Sequence, residues 1–222
     1  MLTNPNTMKR DYHERLRKEF DRQAENLVQK GYPKVVGIKA EEFMKHMEPL
    51  KDRIREFATL EKEAKEEYIP FVIVVKNDLV AAEKAMRLVE VKSKKGFTVI
   101  DADDIKSFKP IEGVNIPSVM VYLAVDIDTG KGTLNITPDE AMKIIKKENR
   151  SPLTIDEGIA LITHHAEILK KNNSFSLLGS RCGDRRVPAL WISGGKPKLG
   201  WCWAGNPHTW LGSASCGNRV GH

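Results

Sequence analysis

Apolar residues recur along residues 8–30 at steps of three and four. Tyr12, Leu16, Phe20, Ala24 and Leu27 form one stripe and Gly31 supplies a stop, so the spacing predicts an amphipathic helix. A second stripe, Phe43, Met47, Leu50, Ile54 and Phe57, predicts helix from Glu41 to about Tyr68. Pro49 falls inside it and predicts a kink or a split, because proline removes a backbone donor and clashes with the preceding turn. The stretch Glu61 to Glu67 alternates charge signs and reads as a solvated helix face.

The period then changes. Phe71-Val72-Ile73-Val74-Val75 is an unbroken, β-branched run, the pattern of a strand covered on both faces. Asn77 is suited to cap a helix through about Arg87, with Leu79, Val80, Ala82, Met86 and Val89 as its apolar positions. Phe97 to Ile100 and Val119 to Val125 read as further strands, and Thr133 to Ile136 as the return arm of a hairpin turning at Thr129 to Gly132. Thr137-Pro138-Asp139-Glu140 and Thr154-Ile155-Asp156-Glu157 each place a threonine cap three residues before a glutamate, and each predicts a helix start. The second of these helices carries Ile155, Ile159, Ile162, Ala166 and Leu169 inward. Beyond Asn173 the chain turns glycine-rich. Ser174 to Ser180 and Val187 to Ile192 read as strands, with a turn at Ser193 to Pro197 leading into Leu199 to Trp203. The sum is an α+β fold: N-terminal helices, a small mixed sheet with covering helices, and a C-terminal β-hairpin layer. A helical region, residues 1–68, and an α+β region, residues 69–222, are expected to form one cooperative unit.

Composition narrows the function class. A chain of 222 residues, 41% hydrophobic and 30% charged, buries a core without staples and is neither disordered nor fibrous. Its apolar runs, Phe71 to Val75 among them, are far short of the roughly 18 residues of a membrane span. The first residues lack the apolar core of a signal peptide, and the odd number of cysteines excludes complete disulfide pairing. The expected compartment is therefore the cytoplasm, with free thiols. The net charge of +6 is uneven: residues 174–222 hold +5 of it, together with all four tryptophans and all three cysteines.

That tail holds most of the candidate chemistry. Arg181, Arg185 and Arg186 suit a carboxylate or phosphate, and Gly179 and Gly183 would let backbone approach an anion; the competing reading pairs the arginines with acidic helices of the first half. Trp201 and Trp203 share one strand face, and with Trp191 and Trp210 they read either as a wall for a ring-bearing ligand or as core. Asn206-Pro207-His208-Thr209-Trp210 has the turn chemistry of a pocket rim, with His208 available for proton transfer. If Arg181 lies beside Cys182 it lowers that thiol's pKa, which makes Cys182 a candidate nucleophile with His208 as base.

Metal and nucleotide readings are weaker. Cys182, Cys202, His208 and Cys216 are the residue types of a structural zinc site, but with nineteen, five and seven intervening residues they match no short-paired ligand pattern, so zinc is not favoured. His164 and His165 are neighbours on a predicted helix and point about 100° apart, which prevents chelation from one face and suggests that one is packed or capping and the other wet. Asp128 to Thr133 lacks the first glycine of a phosphate loop, Val125 standing in its place. Three function classes follow. The leading one is a small anionic or ring-bearing ligand in a Trp/Arg-lined pocket, with no reaction assigned. The alternatives are a nucleic-acid-binding module using the basic, Trp-rich tail, and a partner-binding protein using the helices of residues 8–30 and 41–68.

Several phrases carry a resemblance. They are Asp126-Ile127-Asp128-Thr129-Gly130, Leu134-Asn135-Ile136-Thr137-Pro138-Asp139-Glu140-Ala141, Pro152-Leu153-Thr154-Ile155-Asp156-Glu157-Gly158, the run from Ser180 to Pro188, Gly200-Trp201-Cys202-Trp203, and Asn206 to Ser215. On these the chain resembles a bacterial family known only as a domain of unknown function, over about residues 117–222 and more loosely over residues 17–33. The resemblance implies a bacterial cytosolic protein and brings no activity with it.

Overall fold

The structure is a computed structural model that describes residues 5–57, 68–76 and 78–222. Helix α1 (Pro5–Gln29) follows the first stripe, and Tyr12, Leu16, Phe20, Ala24 and Leu27 are all buried. Gly31 takes a φ of 87° before the short α2 (Tyr32–Val36), a left-handed turn that only glycine adopts without strain. The second stripe divides near Pro49 into α3 (Ala40–Lys45) and α4 (Glu48–Phe57). Pro49 falls in the first turn of α4, where its missing N–H has no partner to lose. The predicted continuation through Glu61 to Glu67 and the Asn77 cap lie outside the described residues.

Strand β1 (Ile69–Val75) is followed by α5 (Ala82–Leu88), a small hairpin of β2 (Glu90–Val91) and β3 (Lys94–Lys95), and β4 (Phe97–Thr98). Next come α6 (Ala102–Ser107), β5 (Lys109–Pro110), β6 (Val121–Ile127), α7 (Pro138–Lys147), β7 (Ser151–Pro152) and α8 (Ile155–His164). The chain ends in β8 (Ser174–Ser176), β9 (Ser180–Arg181), β10 (Arg186–Ser193), β11 (Lys196–Trp203), β12 (Leu211–Ser213), β13 (Ser215–Cys216) and β14 (Asn218–Val220). One sheet has the order β1-β6-β14 and is antiparallel throughout, with Phe71 opposite Val125 and Ile73 opposite Leu123. A second, five-stranded sheet has the order β12-β8-β10-β11-β4 and is mixed, because β12 runs parallel to β8 and β4 parallel to β11; β13-β7, β2-β3 and β5-β9 are two-stranded ladders. The architecture is α+β.

β1 is an edge strand buried by helices. Both α1 and α8 pack against it, which explains its unbroken apolar run in an antiparallel sheet. Its outward backbone groups are satisfied by side chains. Gln23 of α1 donates through Nε2 to the Phe71 carbonyl (3.1 Å) and accepts from the Ile73 N–H (2.8 Å), imitating a neighbouring strand. The Ile73 carbonyl accepts from His164 Nε2 (3.0 Å).

Several predicted elements change length or shape. Ile100 leaves β4 after Thr98 because the Asp101 side chain accepts from the Asp103 and Asp104 N–H groups and starts α6. The hairpin arm at Thr133 to Ile136 does not form. Asp128 Oδ1 accepts from the Gly130 N–H (2.7 Å), the chain tightens into a 3-10 turn over Lys131–Thr133, and Thr133 Oγ1 accepts from the Ser213 N–H (2.8 Å). The threonine caps hold: Thr137 accepts from the Glu140 N–H, and Thr154 and Glu157 close a reciprocal capping box. α8 stops at His164, and Ala166–Ile168 continues as a 3-10 turn that still buries Leu169. One core cluster includes residues from Tyr12 to Val220, and a smaller one under α7 gathers Ala141, Ile145, Leu178, Val187 and Ala204. Among the described residues, no helix is long and apolar enough to cross a membrane.

Candidate functional site

The β10–β11 hairpin sorts the aromatic residues. Arg186 faces Trp203 and Pro188 faces Trp201 across the ladder, so these side chains share one face. Trp191, Ala189, Gly200 and Cys202 belong to the other. Gly200 leaves the space that the Trp191 ring occupies, since a Cβ there would collide with it. Trp191 meets Trp210 edge to face (6.2 Å between centroids), Trp210 lies 5.3 Å from the His208 ring, and Lys198 Nζ sits 4.9 Å from the Trp191 centroid. The four tryptophans are therefore divided between two faces of the sheet and form no common wall. Trp201 and Trp203 are 37% and 46% exposed and pack edge to face at 4.9 Å.

The arginines are also divided. Arg186 donates through Nε to Asp184 Oδ2 (2.7 Å) and through Nη1 to Asp104 Oδ2 (2.6 Å) on α6, and its guanidinium lies 5.7 Å from the Phe108 centroid and 5.9 Å from that of Trp201. Arg185 is largely exposed and 4.0 Å from Asp139, and Arg181 Nη2 donates to the Asp184 carbonyl (3.3 Å). Asn206 is exposed, its N–H donating to the Trp203 carbonyl. Of the residues expected to bind a ligand, Arg186, Trp201 and Trp203 are brought together; Trp210 and His208 lie with Trp191.

The cysteines behave as thiols. Cys182 Sγ donates to Asp184 Oδ1 (3.2 Å), and burial, then that hydrogen bond, push its pKa up. The expected lowering by Arg181 is overturned, because the group beside the sulfur is the Asp184 carboxylate, which favours the protonated thiol. Cys202 is 3.6 Å from Ser176 Oγ, and Cys216, fully buried in the main core, is pushed up to about 12 by burial. Among the described residues, no group of three or more His, Cys, Asp and Glu side chains is arranged to hold a metal ion.

The histidine pair departs from expectation in one member. His164 is packed: Asn26 Nδ2 faces its Nδ1 at 3.3 Å while its Nε2 meets the Ile73 carbonyl, which selects the neutral ring with the proton on Nε2. Burial lowers its pKa to about 3. His165 is half-buried rather than wet, with Nε2 3.5 Å from Glu19 and Nδ1 3.7 Å from Glu167.

A cleft of about 450 Å³ opens where no aromatic or arginine motif pointed. Its charged rim is Lys76 after β1, Lys106 of α6 and Lys109 of β5, with Asp78 and Asp156. Ile105, Phe108, Pro110, Ile116 and Ile155 give it an apolar lining. Lys76 is 3.7 Å from Asp78 and Lys106 is 3.1 Å from Asp103, whereas Lys109 makes no ion pair among the described residues. The cleft also borders the first turn of α8, whose dipole favours anions. The amides there are engaged, however: Thr154 N–H donates to Glu157 Oε2 (2.8 Å), Ile155 N–H to Ser180 Oγ (3.0 Å) and Glu157 N–H to Thr154 Oγ1 (3.4 Å). Direct contact with an anion falls to the lysines. Phe108 connects the cleft to the hairpin, since the same ring lines the cleft and lies under Arg186.

The lysines of this cleft were not singled out from the sequence. Lys76, Lys106 and Lys109 carry no local signature and resemble any solvated charge; only the pairing of β5 with β9 and the approach of β1 to α8 bring them to one opening. No curated protein and no solved structure matches the chain. A family model described as a family of unknown function (DUF5701) matches residues 26–222, and the chain belongs to that family.

Proposed function

We propose that this protein binds a small anionic, ring-bearing molecule in the cleft bordered by Lys76, Lys106 and Lys109. The observation that carries the reading is an opening of about 450 Å³, the size of a small-molecule site, whose lining combines Lys76, Lys106 and Lys109 with apolar side chains against two carboxylates, Asp78 and Asp156. The lysines supply charge for a carboxylate, sulfonate or phosphate, and Phe108 and Ile155 supply surface for a ring. No reaction is assigned: Cys182 is held as a thiol by Asp184, and His208 lies beside Trp210 on the other side of the hairpin. The test uses 8-anilinonaphthalene-1-sulfonate, which joins one anion to an aromatic system. Its fluorescence should report saturable binding to the wild type, weakened by about tenfold or more in Lys106→Glu/Lys109→Glu, since two local charges reverse sign. Equal binding to both proteins would contradict the reading.

The exposed Trp201–Trp203 pair favours a second reading, in which bases of single-stranded nucleic acid stack on these rings beside Arg186. That reading predicts oligonucleotide affinity that falls steeply with salt and is lost in Trp201→Ala/Trp203→Ala.

A further inference from the structure

Helix α6 forms part of the cleft wall through Ile105 and Lys106, yet none of its residues from Ala102 to Ser107 is buried. Burial resumes immediately outside it, at Ile100 and at Phe108, both in the main core. The six-residue helix is thus a short span between two fixed points. Its own capping is local: Asp101 Oδ1 accepts from the Asp103 and Asp104 N–H groups (3.1 and 2.9 Å). Two side chains tie it to the rest of the fold: Ile105, half-buried against the main core, and Asp104, which receives Arg186 Nη1 at 2.6 Å and Nη2 at 3.3 Å.

The arginine end of that tie is rigid. Asp184 accepts both the Arg186 backbone N–H (2.7 Å) and its Nε (2.7 Å), and the guanidinium lies over the Phe108 and Trp201 rings. The aspartate end sits on a helix whose one apolar anchor, Ile105, is only half-buried. A segment with few buried apolar contacts and one charged tie opens more readily than the sheet beneath it.

We propose that α6 is a lid over the lysine cleft, latched shut by the Asp104–Arg186 pair. The inference rests on the cleft being the ligand site. Opening swings Ile105 and Lys106 away from Ile155 and Asp156, while Ile100 and Phe108 stay seated in the core. Arg186 is then a positioning residue: it acts on the cleft through α6.

Hydrogen exchange of the full chain tests this, with Asp104→Asn as the unlatched variant and Glu140→Gln, which removes an exposed ion pair on α7, as the control. Unlatching should speed exchange of the peptide spanning residues 101–108 by about fivefold, the factor expected for loss of one partly exposed ion pair, with β6 and α8 unchanged. It should also raise the association and dissociation rates of 8-anilinonaphthalene-1-sulfonate together and leave the Kd within about twofold, a kinetic signature that simple loss of stability does not produce. The control should change neither. Exchange that rises equally in β6 and α8, or probe binding with no change in residues 101–108, would overturn the lid alone. Absence of probe binding to the wild type would overturn the cleft reading and the lid with it.

Discussion

His164 shows how one side chain can be fixed in charge state by its two neighbours. Asn26 presents an amide N–H to Nδ1 and Ile73 presents a carbonyl to Nε2, so a second ring proton would face a donor. Burial leads the lowering of its pKa from 6.5 to about 3. The folded pKa lies below the unfolded one, so the unfolded chain binds the extra proton between these values. Stability is complete above about pH 6.5 and is lost as pH falls toward 3, at up to about 1.4 kcal/mol per pH unit from this group. NMR should find the His164 ring resonances unchanged between pH 8 and pH 5. A His164 midpoint near 6.5 would contradict the buried, neutral assignment. Asp184 gives an acid-side counterpart: hydrogen bonds from the Arg186 backbone, then from Cys182 and the Arg186 side chain, hold its pKa down to about 2.

At the level of elements, the last strand is locked to α8 by charge. Arg219 of β14 is 5% exposed and Glu157 of α8 is fully buried, and Nε and Nη2 of the arginine reach Oε1 and Oε2 of the glutamate at 2.5 and 2.8 Å. Tyr122 Oη donates to the same carboxylate, and the Ser151 hydroxyl and Pro152 carbonyl take two further guanidinium protons. Glu157 also accepts the Thr154 N–H, so one carboxylate joins the helix cap, the sheet and the C-terminal strand. Arg219→Met should cost about 3–5 kcal/mol in chemical denaturation, because it strands a buried carboxylate. The double variant Arg219→Met/Glu157→Gln should recover part of that loss. Equal destabilisation by both variants would show that the arginine's packing, rather than its charge, matters.

Legibility at this scale followed locality. The α1 stripe, the break at Pro49, both threonine caps and the turn between β10 and β11 depend on residues within a few positions of one another, and all could be read from the sequence. The Gln23 clamp joins residues about fifty positions apart and left no local trace. The hairpin expected at Thr133 failed for a related reason: Asp128 turns the chain early and a distant strand, β12, takes the segment that would have returned. In the candidate site, spacing revealed that Trp201 and Trp203 share a face, and the alternative that arginine pairs with first-half acids describes Arg186 and Asp104. It did not reveal that Trp191 and Trp210 meet on the opposite face.

Across the whole molecule, two sheets of different construction share one core, and the cleft lies where their connections meet. Lys76 leaves the antiparallel sheet, Lys106 and Lys109 come from the segment that crosses from β4 to β6, and Asp156 heads the helix covering β1. Three lysines that stand apart in the first half of the chain are gathered by topology at one cleft, and the basic tail contributes Arg186 as a clamp on the wall. The most direct test is amide NMR of the full chain titrated with 8-anilinonaphthalene-1-sulfonate. The account predicts shift changes concentrated at Ile105 to Ile111, Ile116, Thr154 to Asp156 and Ser180, saturating with one ligand per chain. Changes confined to Trp201, Trp203 and the His208–Trp210 loop, or none at saturating probe, would contradict it.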